Sequence, residues 1–150
     1  MGDFSLTLDV IAGFPGEEES HFQNTVDLLR KVKPLKCHVF PYSQREGTRA
    51  AKFTEVPDAL KRERAQKLTA LGENLGRAER MTYVGQIVTV LVENRKKSAT
   101  LLTGLTSNYL KVCFEGEGDW TGKIVRTELL SVQNDIFLGR SLSNSEIKRR

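Results

Sequence analysis

The chain has 150 residues, 39% of them hydrophobic and 28% charged, with a net charge of +4 and a pI near 9.2. These are the proportions of a globular chain of one domain or two small ones, and no apolar run reaches the roughly 20 residues that a membrane-spanning helix requires. The two cysteines, Cys37 and Cys113, stand far apart with no CxxC or Cys/His cluster, so this chain alone builds no zinc or iron–sulfur site, and reduced thiols in the cytoplasm are the expectation. The opening MGDFSLTLD lacks the basic and cleavage patterns of a signal peptide. Residues 1–82 hold 13 Lys+Arg against 12 Asp+Glu, and residues 83–150 hold 10 against 7, so the basic excess leans toward the second part and mildly favours a polyanion there.

In chain order, FSLTLDVIA (4–12) alternates: Phe4, Leu6, Leu8 and Val10 on one face, Ser5, Thr7, Asp9 and Ile11 on the other, which predicts a strand with a polar second face. Gly13-Phe14-Pro15-Gly16 is the turn. Residues 17–32 place Phe22, Val26, Leu29 and Val32 at helical spacing, with acid in the first turn and base in the last. Pro34 stops that helix. LKCHVFPY (35–42) alternates again, and strand–helix–strand at this length reads as a parallel βαβ unit. Two strands and a helix are too little for a stable domain, so this part looks like a piece of a larger sheet or barrel whose lumen the polar faces line.

Residues 57–82 predict a long helix, with Pro57 at its first position and a narrow apolar stripe of Leu60, Leu68, Leu71, Leu75 and Ala78. Lys61, Arg62, Arg64, Lys67, Arg77 and Arg80 surround the stripe, as on a basic connector between two bodies. After it the period falls to two. Strands are expected near 84–93, 99–105, 109–114, 121–128 and 132–138, and five short strands with tight turns suggest a small antiparallel barrel of OB-like type. The expected division is 1–55 barrel fragment, 56–82 connector helix, 83–142 β-barrel and 143–150 a frayed tail.

Glycines at the carboxyl end of a strand allow close approach of a flat ligand. Glu17, Glu18 and Glu19 occupy the positive end of the following helix, which argues against a phosphate and for a neutral or cationic ligand with a planar base. A plain strand-to-helix turn explains Gly-Phe-Pro-Gly equally well. Arg45, in the polar loop Ser43–Thr48, is either a surface charge or a ligand clamp, and His38 reads as packing. In the second part, alternation buries Leu110, Val112 and Phe114 and leaves Tyr109 and Lys111 outside, a stacking ring beside a cation. Arg95, Lys96 and Lys97 form a charged hairpin tip or a phosphate clamp.

Taken in order, DVIAGFPGE, an amphipathic helix, HVFPYSQREGT, a basic helix and a small β-barrel resemble the C-terminal part of the radical-SAM methylthiotransferases. The matches include the DxIxGFPGE pattern and Tyr42-Ser43, Arg45, Gly47-Thr48 and Ala50 of a YSxRxGTxA segment. The resemblance implies the end of a partial (β/α)6 barrel, then a connector helix, then a five-stranded OB-like TRAM domain. It implies an S-adenosylmethionine surface at Asp9, Ile11, Gly13, Phe40 and Tyr42, and tRNA contacts, at the anticodon stem-loop, from Arg45, Arg95, Lys96, Lys97, Tyr109 and Lys111. HVFPYS and TSNYLKVCF look most like the branch that acts on threonylcarbamoyladenosine, with the isopentenyladenosine branch as near neighbour. The family's CxxxCxxC motif and its other cluster-binding cysteines are not in this chain, so the [4Fe–4S] clusters belong to a missing N-terminal part of the same enzyme. This chain alone is expected to be inactive and to bind neither group tightly. The competing expectation is a non-enzymatic RNA-binding module with a vestigial barrel fragment.

Overall fold

The computed structural model describes residues 4–95, 101–116 and 120–142. It divides into two compact units, residues 6–79 and a second comprising residues 1–5 and 80–150.

The first unit holds β1 (Thr7–Ala12), α1 (Glu19–Val32), β2 (Lys36–Pro41), a single 3-10 turn (Ala50–Lys52) and most of α2 (Asp58–Met81). β1 and β2 pair in parallel, Asp9 opposite His38 and Ile11 opposite Phe40, as the βαβ reading requires. The helix α1 ends with Lys33 in the left-handed region, its N–H on the Leu29 carbonyl, and Pro34 follows, so nothing can continue the ladder. The strand begins at Thr7, later than the alternation suggested, and Ser5 does not continue it. Its hydroxyl instead donates to the Asn108 carbonyl, in the second unit.

Among the described residues, the core covers one face of the sheet. Leu8, Val10 and Ala12 of β1 and Cys37 and Val39 of β2 pack with Phe22, Val26 and Leu29 of α1 and with Ala65, Leu68, Leu71 and Leu75 of α2. Thus α2 does more than connect: its stripe shares this core. Gly72 shows how closely it approaches, since a Cβ there would stand 2.7 Å from Cys37 Cβ. The stripe also differs from the expected one in a telling way. Lys61 and Arg64, read as surface cations, lie on the packed face and are only 6% and 3% exposed. A buried charge is tolerated only when paired, and both are.

Cys37 faces this core. Burial first, and the Asp9 carboxylate second, push its thiol up. Because the thiolate is the nucleophile, alkylation of Cys37 by iodoacetamide near neutral pH is expected to be several-fold slower than that of a short unstructured thiol peptide; equal rates would show that the packing opens. The raised value means that the neutral thiol's stabilising contribution is complete below the unfolded thiol's range and is lost as pH rises through the folded value.

The second unit is a closed barrel in the order β3-β4-β5-β7-β6, with β3 (Ile87–Arg95), β4 (Leu101–Thr106), β5 (Lys111–Glu115), β6 (Ile124–Gln133) and β7 (Ile136–Ser141). Val90, Val92, Leu102, Leu110, Val112, Phe114, Val125, Leu129 and Phe137 fill it. Four pairings are antiparallel and one, β5 with β7, is parallel, where antiparallel pairing throughout was expected. β7 leaves β6 by a tight hairpin and closes the ring on β5, the strand whose direction it shares, and closure removes the free edges an open sheet would expose. The hairpin falls at Asn134-Asp135, both with positive φ, and not near residue 130. What looked like a break there is a shift of register within β6, between Leu129 and Ser131. The tail at 143–150 lies outside the described residues.

Candidate ligand surface and nucleic-acid interface

The carboxyl ends of β1 and β2 gather most of the expected cofactor residues. Ile11 and Phe40 are register partners on the uncovered face and remain 55% and 52% exposed. Asp9 lies two pairs below them on the same face, opposite His38. Tyr42 donates its N–H to the Ala12 carbonyl at 2.8 Å, which extends the pairing past β2, and its ring meets Phe14 edge-on at 5.3 Å. The Tyr42 hydroxyl is buried with no hydrogen bond. Arg45 is not part of this group; it lies in the exposed loop beyond, where its carbonyl accepts from the Thr48 hydroxyl at 2.8 Å.

Gly13 has a reason of its own. Its φ is +73°, and a Cβ would stand 2.3 Å from Lys61 Cγ and 3.1 Å from Lys61 Cα. The bare backbone therefore admits α2, on the side of Lys61, whatever else it admits. Sequence reading missed the polar network that follows. Glu17 accepts the Gly13 N–H on Oε2 at 3.0 Å and a guanidinium N–H of Arg64 on Oε1 at 2.8 Å. Arg64 Nη1 also donates to the Glu17 carbonyl at 2.9 Å, and Nη2 to Glu19 at 3.1 Å, with the guanidinium over the Phe22 ring. Lys61 Nζ reaches Glu55 and Asp58, each at 2.9 Å, and lies 5.9 Å from the Tyr42 ring centre. The hydrogen bond to Asp58, with that to Glu55, holds its ammonium above the usual lysine range. The signal was present in the spacing: Lys61, Arg64, Ala65 and Leu68 recur on one helical face.

On the barrel, Tyr109 and Lys111 are both exposed and Leu110, Val112 and Phe114 are buried, as the alternation predicts. The cause at Tyr109 is different, however. It is not in β5 but ends the three-residue loop Ser107–Tyr109, closed by Tyr109 N–H on the Thr106 carbonyl and Thr106 N–H on the Leu110 carbonyl. Its φ is +63° and it is 79% exposed. Such loops usually put Gly or Asn at that position, because a bulky side chain there is strained. The buried Asn108 below it accepts from the Thr106 hydroxyl at 2.6 Å, and that hydroxyl accepts from Leu110 N–H at 2.9 Å. The loop is thus rigidly built beneath an exposed ring.

Lys111 stands in register with Leu105 of β4 and, beyond it, Leu91 of β3 and Ile124 of β6. Arg126 is exposed two pairs along from Ile124, opposite Thr89. Arg95 closes β3, but its side chain, like Lys96 and Lys97 as a whole, lies outside the described residues.

Residues 81–139 match the TRAM domain family. Along most of its length the chain is similar to curated methylthiotransferases. It is 38% identical over 130 residues to the threonylcarbamoyladenosine tRNA methylthiotransferase MtaB of Bacillus subtilis, covering 84% of this chain and 29% of the relative. It is 40% identical over 131 residues to the tRNA-2-methylthio-N(6)-dimethylallyladenosine synthase of the same organism, covering 86% and 26%. With the synthase of that name from Moorella thermoacetica the identity is 39% over 137 residues, covering 90% and 31%. The chain therefore spans under a third of the length of these relatives. Residues 81–139 form a TRAM domain, and over most of its length the chain is similar to a part of the tRNA methylthiotransferases.

Proposed function

We propose that this chain serves in the methylthiolation of a tRNA adenosine, with threonylcarbamoyladenosine beside the anticodon as the substrate and the barrel holding the anticodon stem-loop. The observation that carries the reading is the exposed, strained Tyr109 ring two residues from Lys111 on a barrel of the TRAM family. Strain of this kind is characteristic of functional positions. The basic helix is the weaker RNA surface, because Lys61 and Arg64 are buried against carboxylates, Arg80 pairs with Asp135 at 3.1 Å, and Lys67 pairs with Glu63 at 2.7 Å. The segments HVFPYS and TSNYLKVCF favour threonylcarbamoyladenosine over dimethylallyladenosine, although relatives of both names match at similar identity.

The residues at the strand ends fit the adenine of S-adenosylmethionine: the exposed Ile11–Phe40 pair is a flat apolar patch between two parallel strand termini, where ligands of such sheets bind. Bound there, S-adenosylmethionine would supply the methyl group and the radical source of the complete enzyme. Ile11 and Phe40 would cover the base face, Gly13 would let the ligand edge approach the backbone, and Tyr42 would close the side. An iron–sulfur cluster does not fit the described residues, among which no three His, Cys, Asp or Glu side chains are arranged to hold a metal ion. Its ligands would come from the part of the enzyme this chain does not include.

Two substitutions separate the contributions to RNA binding. Lys111→Ala removes about one phosphate contact, so affinity should fall for every RNA and the log–log salt slope should fall by roughly 0.7 to 0.9. Tyr109→Ala removes a stacking partner and should cost about 1–3 kcal/mol with little change in slope. Binding of an anticodon stem-loop at three salt concentrations measures both. If Tyr109→Ala binds as the wild type does at every salt, this loop is not the RNA platform.

A further inference from the structure

We propose that Arg64 is a positioning residue for the strand-end surface: by gripping Glu17 from α2 it fixes the path of the Gly13–Glu17 turn. The importance of that turn for a ligand rests on the cofactor reading above; the grip itself does not.

The turn cannot hold its own shape. Gly13 and Gly16 both have left-handed φ, +73° and +82°, and glycine explores such conformations freely. Within the turn, the Glu17 N–H donates to the Phe14 carbonyl at 2.8 Å. The Gly13 end is held by the Glu17 carboxylate, and that carboxylate is held by Arg64. Each oxygen of Glu17 has a different task, Oε2 for the Gly13 N–H and Oε1 for Arg64, while the Glu17 carbonyl takes a second bond from the same guanidinium nitrogen. Arg64 is 3% exposed, and its second terminal nitrogen goes to Glu19. A charge buried so deeply has few geometries open to it, and a planar fork that binds two acidic side chains at once has fewer still. The position of Gly13, next to Ile11 and across from Phe40 and Tyr42, thereby becomes a property of α2.

Lysine preserves the charge but offers one nitrogen on a flexible stem, so it cannot span Glu17 and Glu19 together. In the full 150-residue chain, Arg64→Lys should raise hydrogen exchange at the Gly13 amide by about 10-fold or more, the ratio that 1.4 kcal/mol makes. Exchange at the core amide of Leu29 serves as the reference for global stability and should change much less. A residue that merely stabilised the fold would raise both together. Glu17→Gln attacks the same link from its other end and should also release Gly13, and the double variant should be no worse than the stronger single one. Unchanged Gly13 exchange in Arg64→Lys, or in Glu17→Gln should the first variant not fold, overturns the proposal. The ligand is tested separately by titrating S-adenosylmethionine to millimolar concentration and following the amides of Ile11, Gly13 and Phe40. Shifts in the wild type that need about 10-fold more ligand in Arg64→Lys, again the ratio for 1.4 kcal/mol, support the positioning role. Absence of shifts in the wild type overturns the cofactor reading, and the exchange data then decide on Arg64 alone.

Discussion

Gly104→Ala is expected to be among the most damaging single substitutions in the barrel, at about 3 kcal/mol or more. A Cβ at Gly104 would lie 2.2 Å from the Leu91 carbonyl oxygen, 2.8 Å from its carbonyl carbon and 2.7 Å from Val90 Cγ1. Two of those three atoms are backbone of the neighbouring strand, so no rotamer change relieves the clash. β3 and β4 must separate where they are in register, Val92 opposite Gly104. For a domain of this size each kcal/mol moves the midpoint by roughly 4–8 °C, so the thermal transition of the barrel should fall by more than about 10 °C. Gly122→Ala provides the comparison: its φ is +76° but none of the described residues beyond its chain neighbours lies within 4 Å of the added carbon, so backbone strain of about 1–2 kcal/mol is the expected cost. Calorimetry of both variants decides the matter, and a Gly122→Ala effect equal to or larger than that of Gly104→Ala would refute the close-approach argument.

Phe137→Ala should cost about 3–5 kcal/mol, the range for truncating a buried phenylalanine. Phe137 is buried in β7, opposite Val112 across the parallel pairing that closes the ring, and it meets the Tyr83 ring edge-on at 6.3 Å. The loss is therefore a cavity at the closure of the barrel. Phe137→Leu should recover much of the stability by keeping most of the volume. Leu138→Ala, on the outward side of the same strand, should cost far less. Denaturant midpoints measured with tryptophan fluorescence from Trp120 can follow the series, and a Leu138→Ala loss comparable to that of Phe137→Ala would mean that the two faces of β7 have been reversed.

The period-two runs located β1, β2 and the five barrel strands because each buries one face, and α1 was legible from its stripe and its proline stop. The β6–β7 boundary was not, because Leu129-Leu130 broke the alternation and mimicked a turn, whereas the actual turn, Asn134-Asp135, carries the residues that tolerate positive φ. The parallel closure of β5 on β7 leaves no local pattern, since it depends on long-range pairing. Within the candidate site the strand-end residues were legible, because motif order and alternation agree there. The roles of Lys61, Arg64 and Glu17 were not. Hydropathy assigns charged side chains to solvent; the helical spacing puts Lys61 and Arg64 on the packed face, but only the tertiary approach of α2 to Gly13 supplies their partners.

The left-handed backbone at Tyr109 also bears on how this loop can change over generations. Replacing Tyr109 by Asn or Gly would relax the conformation, so the substitutions that make the loop more stable are the ones that delete its ring. A library selected for heat resistance alone would be enriched in them. A library selected for RNA capture would retain tyrosine, or exchange it for another aromatic, and accept the lower melting point. The same position would then be optimised in opposite directions by two assays, and a population kept under both would hold the strained residue as a compromise.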